Sequence, residues 1–247
     1  MSHALPNDSA ERATDSPLLA VELALNLSIS AVIGGGLCGR TLEEATTGAL
    51  IGAIASNIRW ASELSGAELA DRCQWTLYSK SGKDLSSEAW TGSDFSLILR
   101  LSSDRFRVAT FQAKRESNKR GGFSLIQISP HRSGFRPEPQ LIRMLRHSGN
   151  YRQEASPAEL ISEASWVHFL IYRAGEMSHV SLSDMDEACR SVCEFDERVK
   201  QAELLFHRNT GGLYTTSYIE EKWKPFENHT YTHGSLTPLL SLFERGL

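Results

Sequence analysis

This chain lacks zinc-site cysteine spacing and any apolar run long enough to cross a bilayer. Its four cysteines, Cys38, Cys73, Cys189 and Cys193, form no Cys-x-x-Cys pair and no Cys/His zinc pattern. Reduced, structural thiols in a cytoplasmic protein are the expectation. The apolar stretch Leu18–Ile33 is interrupted by Glu22 and Asn26 and ended by Gly34-Gly35-Gly36. It is too short to span a membrane and has no basic leader, so neither anchor nor signal peptide is expected. No Gly-x-Ser-x-Gly elbow, P-loop or dinucleotide fingerprint is present, and no internal repeat or long linker divides the chain. His131, His168, His179 and His207 have no mutual spacing that argues for catalysis. His229-x3-His233 has helical metal spacing, but Gly234 and the neighbouring Tyr and Thr residues oppose a helix there.

What is there is 247 residues, 40% hydrophobic and 23% charged, enough for one large core. Met1 to about Ser16 is polar and aperiodic and predicts a mobile tail, leaving 17–247 as a single domain. The net charge of −4 conceals an asymmetry. Between Arg100 and Arg152 there are twelve Lys and Arg against Asp104, Glu116 and Glu138, a local +9 that leaves −13 for the remainder. A basic block on an acidic protein points to a local site for a polyanion.

Periodicity predicts a helix from Ser16-Pro17 to about Ser30 and a second from Thr41 to about Leu64, with a short turn over Ala67–Cys73. Gly48 and Gly52 share one face of the second helix, which would admit a close neighbour. Strands are expected at Trp75–Ser79, Asp94–Leu101, Phe106–Lys114 and, short or extended, Phe123–Ser129. Helices follow at Gln140–His147 and from Pro157 to about Ala164. Trp166–Tyr172 is almost wholly apolar and reads as a strand buried on both faces. A weaker strand at His179–Leu182 precedes a helix capped near Ser183, running to Phe195 and on toward Phe206. Gly211-Gly212 opens a turn before Leu213–Ile219, and a last short helix starts at Leu236 or Pro238. The expected class is α/β, a mixed sheet with a central antiparallel hairpin flanked by helices.

The chemistry concentrates in that hairpin, where Asp94 opens one strand and Gln112-Ala113-Lys114 closes the next. Phosphodiester hydrolysis needs a metal ion, for which Asp94 offers a carboxylate, Gln112 an amide oxygen and Ala113 a carbonyl. Lys114 would orient the attacking water or offset phosphate charge. Gln112 and Lys114, two apart, share a face. An even-turn hairpin would set Asp94 opposite Ala113, on the wrong face. The site therefore requires a bulge, an odd-length turn, or Asp94 placed just ahead of regular pairing. Glu88, six residues before Asp94, is a further candidate. Glu44 is either metal support or the N3 member of a capping box with Thr41, and Glu43 is the lesser candidate as ligand.

Taken together, Glu44-Ala45-Thr46-Thr47-Gly48-Ala49-Leu50, Glu88, Gly92-Ser93-Asp94 and Gln112-Ala113-Lys114 resemble the PD-(D/E)xK, restriction-endonuclease-like nuclease superfamily in its Gln-x-Lys variant. The resemblance covers about 41–173, with 174–247 as a C-terminal extension that has no counterpart. It implies Mg²⁺ or Mn²⁺ dependence and DNA as substrate. It also implies a homodimer or larger complex and a role in bacterial or phage defence. Gln112 in place of a third carboxylate removes one negative charge from the metal site. Arg115, Lys119 and Arg120 would contact the nucleic-acid backbone. Two rival readings stand beside it: a nuclease-fold protein that binds nucleic acid or a partner without cutting, and an interaction subunit docking through its Trp/Tyr-rich C-terminal third.

Overall fold

Apolar residues at three- and four-residue spacing build the two long N-terminal helices, α1 (Ser9–Gly34) and α2 (Glu43–Ser65). Ala20, Ala24, Leu25, Ile29 and Val32 of α1 face Leu50, Ile51, Ile54, Ile58 and Ala61 of α2 in one buried cluster. Ser28 ties them where polar atoms meet: its hydroxyl donates to the Ala24 carbonyl and accepts Asn57 Nδ2 at 3.1 Å. A computed structural model describes residues 9–38, 40–65, 73–80, 86–100, 106–116, 123–124, 139–148, 157–211, 230–231 and 237–238. Helix α1 begins at Ser9, inside the segment expected as a tail. Ala10, Glu11, Arg12 and Ala13 are good helix formers, and Pro17 is carried within the helix rather than at its first turn.

Among the described residues the main sheet has six strands in the order β1-β2-β3-β5-β6-β8. These are β1 (Cys73–Leu77), β2 (Phe95–Arg100), β3 (Phe106–Arg115), β5 (Val167–Arg173), β6 (Glu176–Ser181) and the two-residue β8 (Thr237–Pro238). All neighbours are antiparallel except β3 and β5, which run parallel with Gln112 level with Phe169 and Lys114 with Ile171. A separate two-stranded ladder joins β4 (Phe123–Ser124) to β7 (Thr230–Tyr231). Strand β5 is buried along Val167–Tyr172, as its continuous apolar run predicts. Its alternate residues enter two different cores. Leu170 and Tyr172 join α1 and α2, whereas Phe169 and Ile171 join α4 (Gln140–Ser148), α5 (Pro157–Glu163) and α6 (Asp186–Thr210). The architecture is thus mixed α/β, an open mixed sheet with helices on both faces.

Several expectations are revised. Of the segment after 174, the part from Glu176 to Val199 contributes to the sheet and core: β6 pairs with β5, and Val180, Leu182, Met185, Cys189 and Val192 fill the second core. Helix α6 runs unbroken through Phe195 and past Phe206, in line with the expected continuation. Thr237 and Pro238 lie in a strand opposite His179 and Ser178 rather than in the first turn of a helix. Cys73 begins β1 rather than ending a helical turn. Gly48 and Gly52 face solvent, with nothing near the position of an added Cβ. The hairpin turn Ser102–Arg105, Leu213–Ile219, residues 125–129 of the fourth expected strand, and the last helix beyond Pro238 lie outside the described residues.

Candidate functional site

Glycine sets the position of the key carboxylate. The short helix α3 (Glu88–Thr91) ends at Gly92, whose φ of +73° is the left-handed region that glycine occupies without strain. A Cβ there would stand 2.8 Å from the Gln140 carbonyl oxygen and 3.0 Å from Met144, so α4 packs directly on this turn. Two residues later Asp94 is pinned by its backbone. Its N–H donates to the Phe111 carbonyl at 2.8 Å, and its own carbonyl accepts the Tyr78 N–H at 2.9 Å.

Asp94 lies one residue ahead of β2, and the β2–β3 register runs from Phe95 opposite Phe111 to Arg100 opposite Phe106. Continued by one step, that register sets Asp94 level with Gln112, so the two side chains share a face. This is the geometry the hairpin required. Phe95 and Phe111 stack on the other face at 4.9 Å between ring centroids. The Asp94 Oδ2 accepts Gln112 Nε2 at 2.7 Å and the Ala113 N–H at 2.7 Å. Gln112 Nε2 also donates to the Ala113 carbonyl at 3.1 Å, while Gln112 Oε1 is buried with no hydrogen-bond partner.

Lys114 follows on the same face of β3 and is only 7% exposed. Burial lowers its ammonium from the ordinary lysine range, opposed by the negative charges of Glu43, Asp94 and Glu88. Burial likewise raises the Asp94 carboxyl to about 7, with Glu88 adding to the rise. Glu88, the first residue of α3, is held by α4: Gln140 Nε2 reaches its Oε1 at 3.5 Å. The buried Arg143 guanidinium donates to the Glu88 and Ala89 carbonyls at 3.3 and 3.0 Å. Arg146 stacks over Trp90 and fastens the two helices further.

The early helix contributes Glu43, not Glu44. Glu43 Oε2 accepts the Arg115 N–H at 2.9 Å, and burial raises its carboxyl while Lys114 draws it down. Glu44 is exposed and pairs with Lys80. Adjacent helical residues point about 100° apart, so only one can turn inward. The capping box does not form either. Thr41 Oγ1 donates to the Leu37 carbonyl or shares a proton with Thr46 Oγ1 at 2.7 Å, and the Thr41 N–H also goes to Leu37. The signal was present in sequence. Glu43 shares a stripe with Thr47, Leu50 and Ile54, all buried, whereas Glu44 shares one with the exposed Gly48 and Gly52. Thr47 in turn meets the Tyr172 hydroxyl at 2.9 Å, locking α2 to β5 just behind the site.

The structure therefore brings Asp94, Gln112, Ala113, Lys114 and Glu88 together, adds Glu43, Gln140 and Arg143, and leaves Glu44 out. No short-range motif marked Gln140 or Arg143, because their roles depend on α4 crossing α3. Arg115 is exposed beside the cluster, and Lys119 and Arg120 lie outside the described residues. The basic block does not form a uniform solvated face, since Lys114 and Arg143 are turned inward.

Among the described residues no three His, Cys, Asp or Glu side chains gather closely enough to hold a metal by themselves. The donor set for a hard cation is instead mixed: the Asp94 carboxylate, the Ala113 carbonyl and the unpartnered Gln112 Oε1, with Glu88 next to them. Such all-oxygen ligation suits Mg²⁺ or Mn²⁺, so these residues fit the ion the resemblance implies. Among the described residues no helix is long and apolar enough to cross a membrane. No protein-family model and no curated protein sequence matches the chain, which leaves the geometry of the site to carry its functional reading.

Proposed function

We propose that this protein is a restriction-endonuclease-like nuclease that hydrolyses phosphodiester bonds, with DNA as substrate and Mg²⁺ or Mn²⁺ as cofactor. The observation that carries this reading is the contact of Asp94 with Gln112 and Ala113 at 2.7 Å, with buried Lys114 on the same face. Asp94, Gln112 Oε1, the Ala113 carbonyl and Glu88 would hold the cation. When bound, such an ion polarises the phosphate and lowers the pKa of the attacking water.

The chain's own groups account for the rest. Hydrolysis forms a bond from water oxygen to phosphorus and breaks the bond to one sugar oxygen, which leaves with a proton. Lys114, its ammonium weakened by burial, orients the water and offsets charge on the phosphate. Glu43 fixes the end of β3 through the Arg115 N–H, and the exposed Arg115 side chain would contact the nucleic-acid backbone. A homodimer or larger complex and a role in bacterial or phage defence complete the proposal, by analogy with the family alone.

A second reading, binding of nucleic acid without cutting, draws on one observation. Donors of the chain itself, Gln112 Nε2 and the Ala113 N–H, satisfy Asp94 Oδ2. The test compares cleavage of duplex DNA, single-stranded DNA and RNA by the full chain with Mg²⁺ or Mn²⁺. Lys114→Ala and Asp94→Ala should each lose at least about a hundredfold in rate. Equal cleavage by all three proteins would overturn the nuclease assignment. Salt-sensitive DNA binding by a chain that never cuts would favour the second reading.

A further inference from the structure

Gln112 Nε2 donates to two oxygens: Asp94 Oδ2 at 2.7 Å and the Ala113 carbonyl at 3.1 Å. Both oxygens belong to the donor set for a hard cation, whereas the third member, Gln112 Oε1, is buried and unpartnered on the opposite side of the same amide. An amide nitrogen that donates to two would-be ligands does what a cation does there. It places positive charge between them and removes their mutual repulsion. With Asp94 ionised, turning the amide over would set Oε1 against a carboxylate and a carbonyl, three acceptors that share only the Ala113 N–H as donor. With a divalent ion the preference reverses. Neighbouring oxygens in an octahedral Mg²⁺ shell, with bonds of about 2.0–2.1 Å, lie about 3 Å apart, close to the separations the amide nitrogen holds now.

We propose that the Gln112 amide is a two-position element. It closes the site with its nitrogen in the metal-free protein and rotates about its terminal torsion to present Oε1 when a divalent cation enters. The rotation is a terminal sp³–sp² torsion with two broad wells, so it needs no backbone movement. This inference rests on the nuclease reading of the same site. It also gives glutamine a role that a third carboxylate could not fill, because a carboxylate has no hydrogens to offer Asp94. A glutamate at this position would face Asp94 with like charge until metal arrived.

The experiment is ¹⁵N NMR of the full chain after EDTA treatment, with the Gln112 side-chain amide assigned by its loss in Gln112→Glu. Mg²⁺ alone is the titrant. The metal-free protein should show Gln112 side-chain hydrogens protected from exchange. Saturating Mg²⁺ should shift them and speed their exchange at least about tenfold, with the same midpoint as the Ala113 backbone amide. If the Ala113 and Lys114 amides respond to Mg²⁺ while the Gln112 side chain stays protected, the two-position element is refuted and the metal site survives. No response anywhere up to about 20 mM Mg²⁺, with Mn²⁺ equally silent by paramagnetic broadening, removes this proposal and the metal-dependent reading together. Gln112→Glu gives a second readout. Its metal-free melting temperature should fall, Mg²⁺ should restore it, and half-saturation should come at a concentration at least about tenfold lower than for wild type. An unchanged melting temperature without metal would contradict the proposal.

Discussion

Glu43 Oε2 accepts the backbone N–H of Arg115 at 2.9 Å, joining the first turn of α2 to the last residue of β3. This bond brings a carboxylate to the end of the strand that carries Gln112 and Lys114. Its neighbour Glu44 spends its charge on exposed Lys80. Glu43→Ala should therefore lower Mg²⁺-dependent cleavage by about 10- to 100-fold, the usual effect of removing a group that orients catalytic residues. Glu44→Ala should stay within about twofold of wild type, since exposed ion pairs contribute little. Steady-state rates on one DNA substrate decide between them, and a larger loss in the Glu44 variant would reverse the assignment.

Gly92 and Gly175 hold similar backbone angles, φ +73° and +78°, in different surroundings. A Cβ at Gly92 would press on the Gln140 carbonyl, Met144 and Arg143, whereas one at Gly175 would meet nothing within 4 Å. Gly175→Ala should cost about 1 kcal/mol, the strain of a positive φ alone. Gly92→Ala adds overpacking against backbone and should cost about 2–4 kcal/mol. Urea unfolding of both variants measures the difference. Equal losses would show that α4 yields.

Burial, reinforced by Glu88, raises the Asp94 carboxyl to about 7. The folded chain thus keeps this proton to a higher pH than the unfolded chain does. The stability that Asp94 contributes is present below about pH 4 and is lost as pH rises through about 7. Asp94→Asn removes this titration. The stability of the variant relative to wild type should rise from near zero at pH 4 to about 2–4 kcal/mol at pH 8, measured without divalent ions. Buried His168, held down to about 3, has the opposite sign and destabilises at low pH. Both proteins carry it, so it cancels in the difference. A difference that does not change with pH would contradict the assignment.

Arg115 has an exposed side chain beside the site while its backbone is tied to Glu43. Arg115→Ala should weaken binding of duplex DNA and reduce the slope of log affinity against log salt by about one. Fluorescence anisotropy from 50 to 200 mM salt reads both. An unaltered slope would remove Arg115 from the phosphate path.

Much of this architecture was legible before any coordinates. Strand β5 announced itself as a run, Val167–Tyr172, apolar apart from His168 and buried on both faces, and the central hairpin by two alternating segments around a polar turn. Strand periodicity also put Gln112 and Lys114 on one face and required a bulge, an odd-length turn or an early Asp94 to bring Asp94 there, and the register from Phe95 opposite Phe111 to Arg100 opposite Phe106 meets that requirement. Both readings of Glu44, metal support and capping-box member, came from patterns within a few residues, whereas in the fold Thr41 turns back to Leu37 and Glu44 pairs with exposed Lys80. The buried stripe of Thr47, Leu50 and Ile54 was the better guide.

By itself the amino-acid sequence determined most of the elements, their order and the polar residues at the mouth of the central hairpin, because these depend on propensities and spacings within a few residues. Only the tertiary structure decided which side chains meet. The landing of α2 on the end of β3 selected Glu43. The crossing of α4 over Gly92 brought Gln140 and Arg143 to Glu88. The packing of both layers buried Lys114 and Asp94 deeply enough to shift their protons. Those outcomes rest on contacts between residues tens of positions apart, and desolvation is a property of the assembled core that no single segment carries.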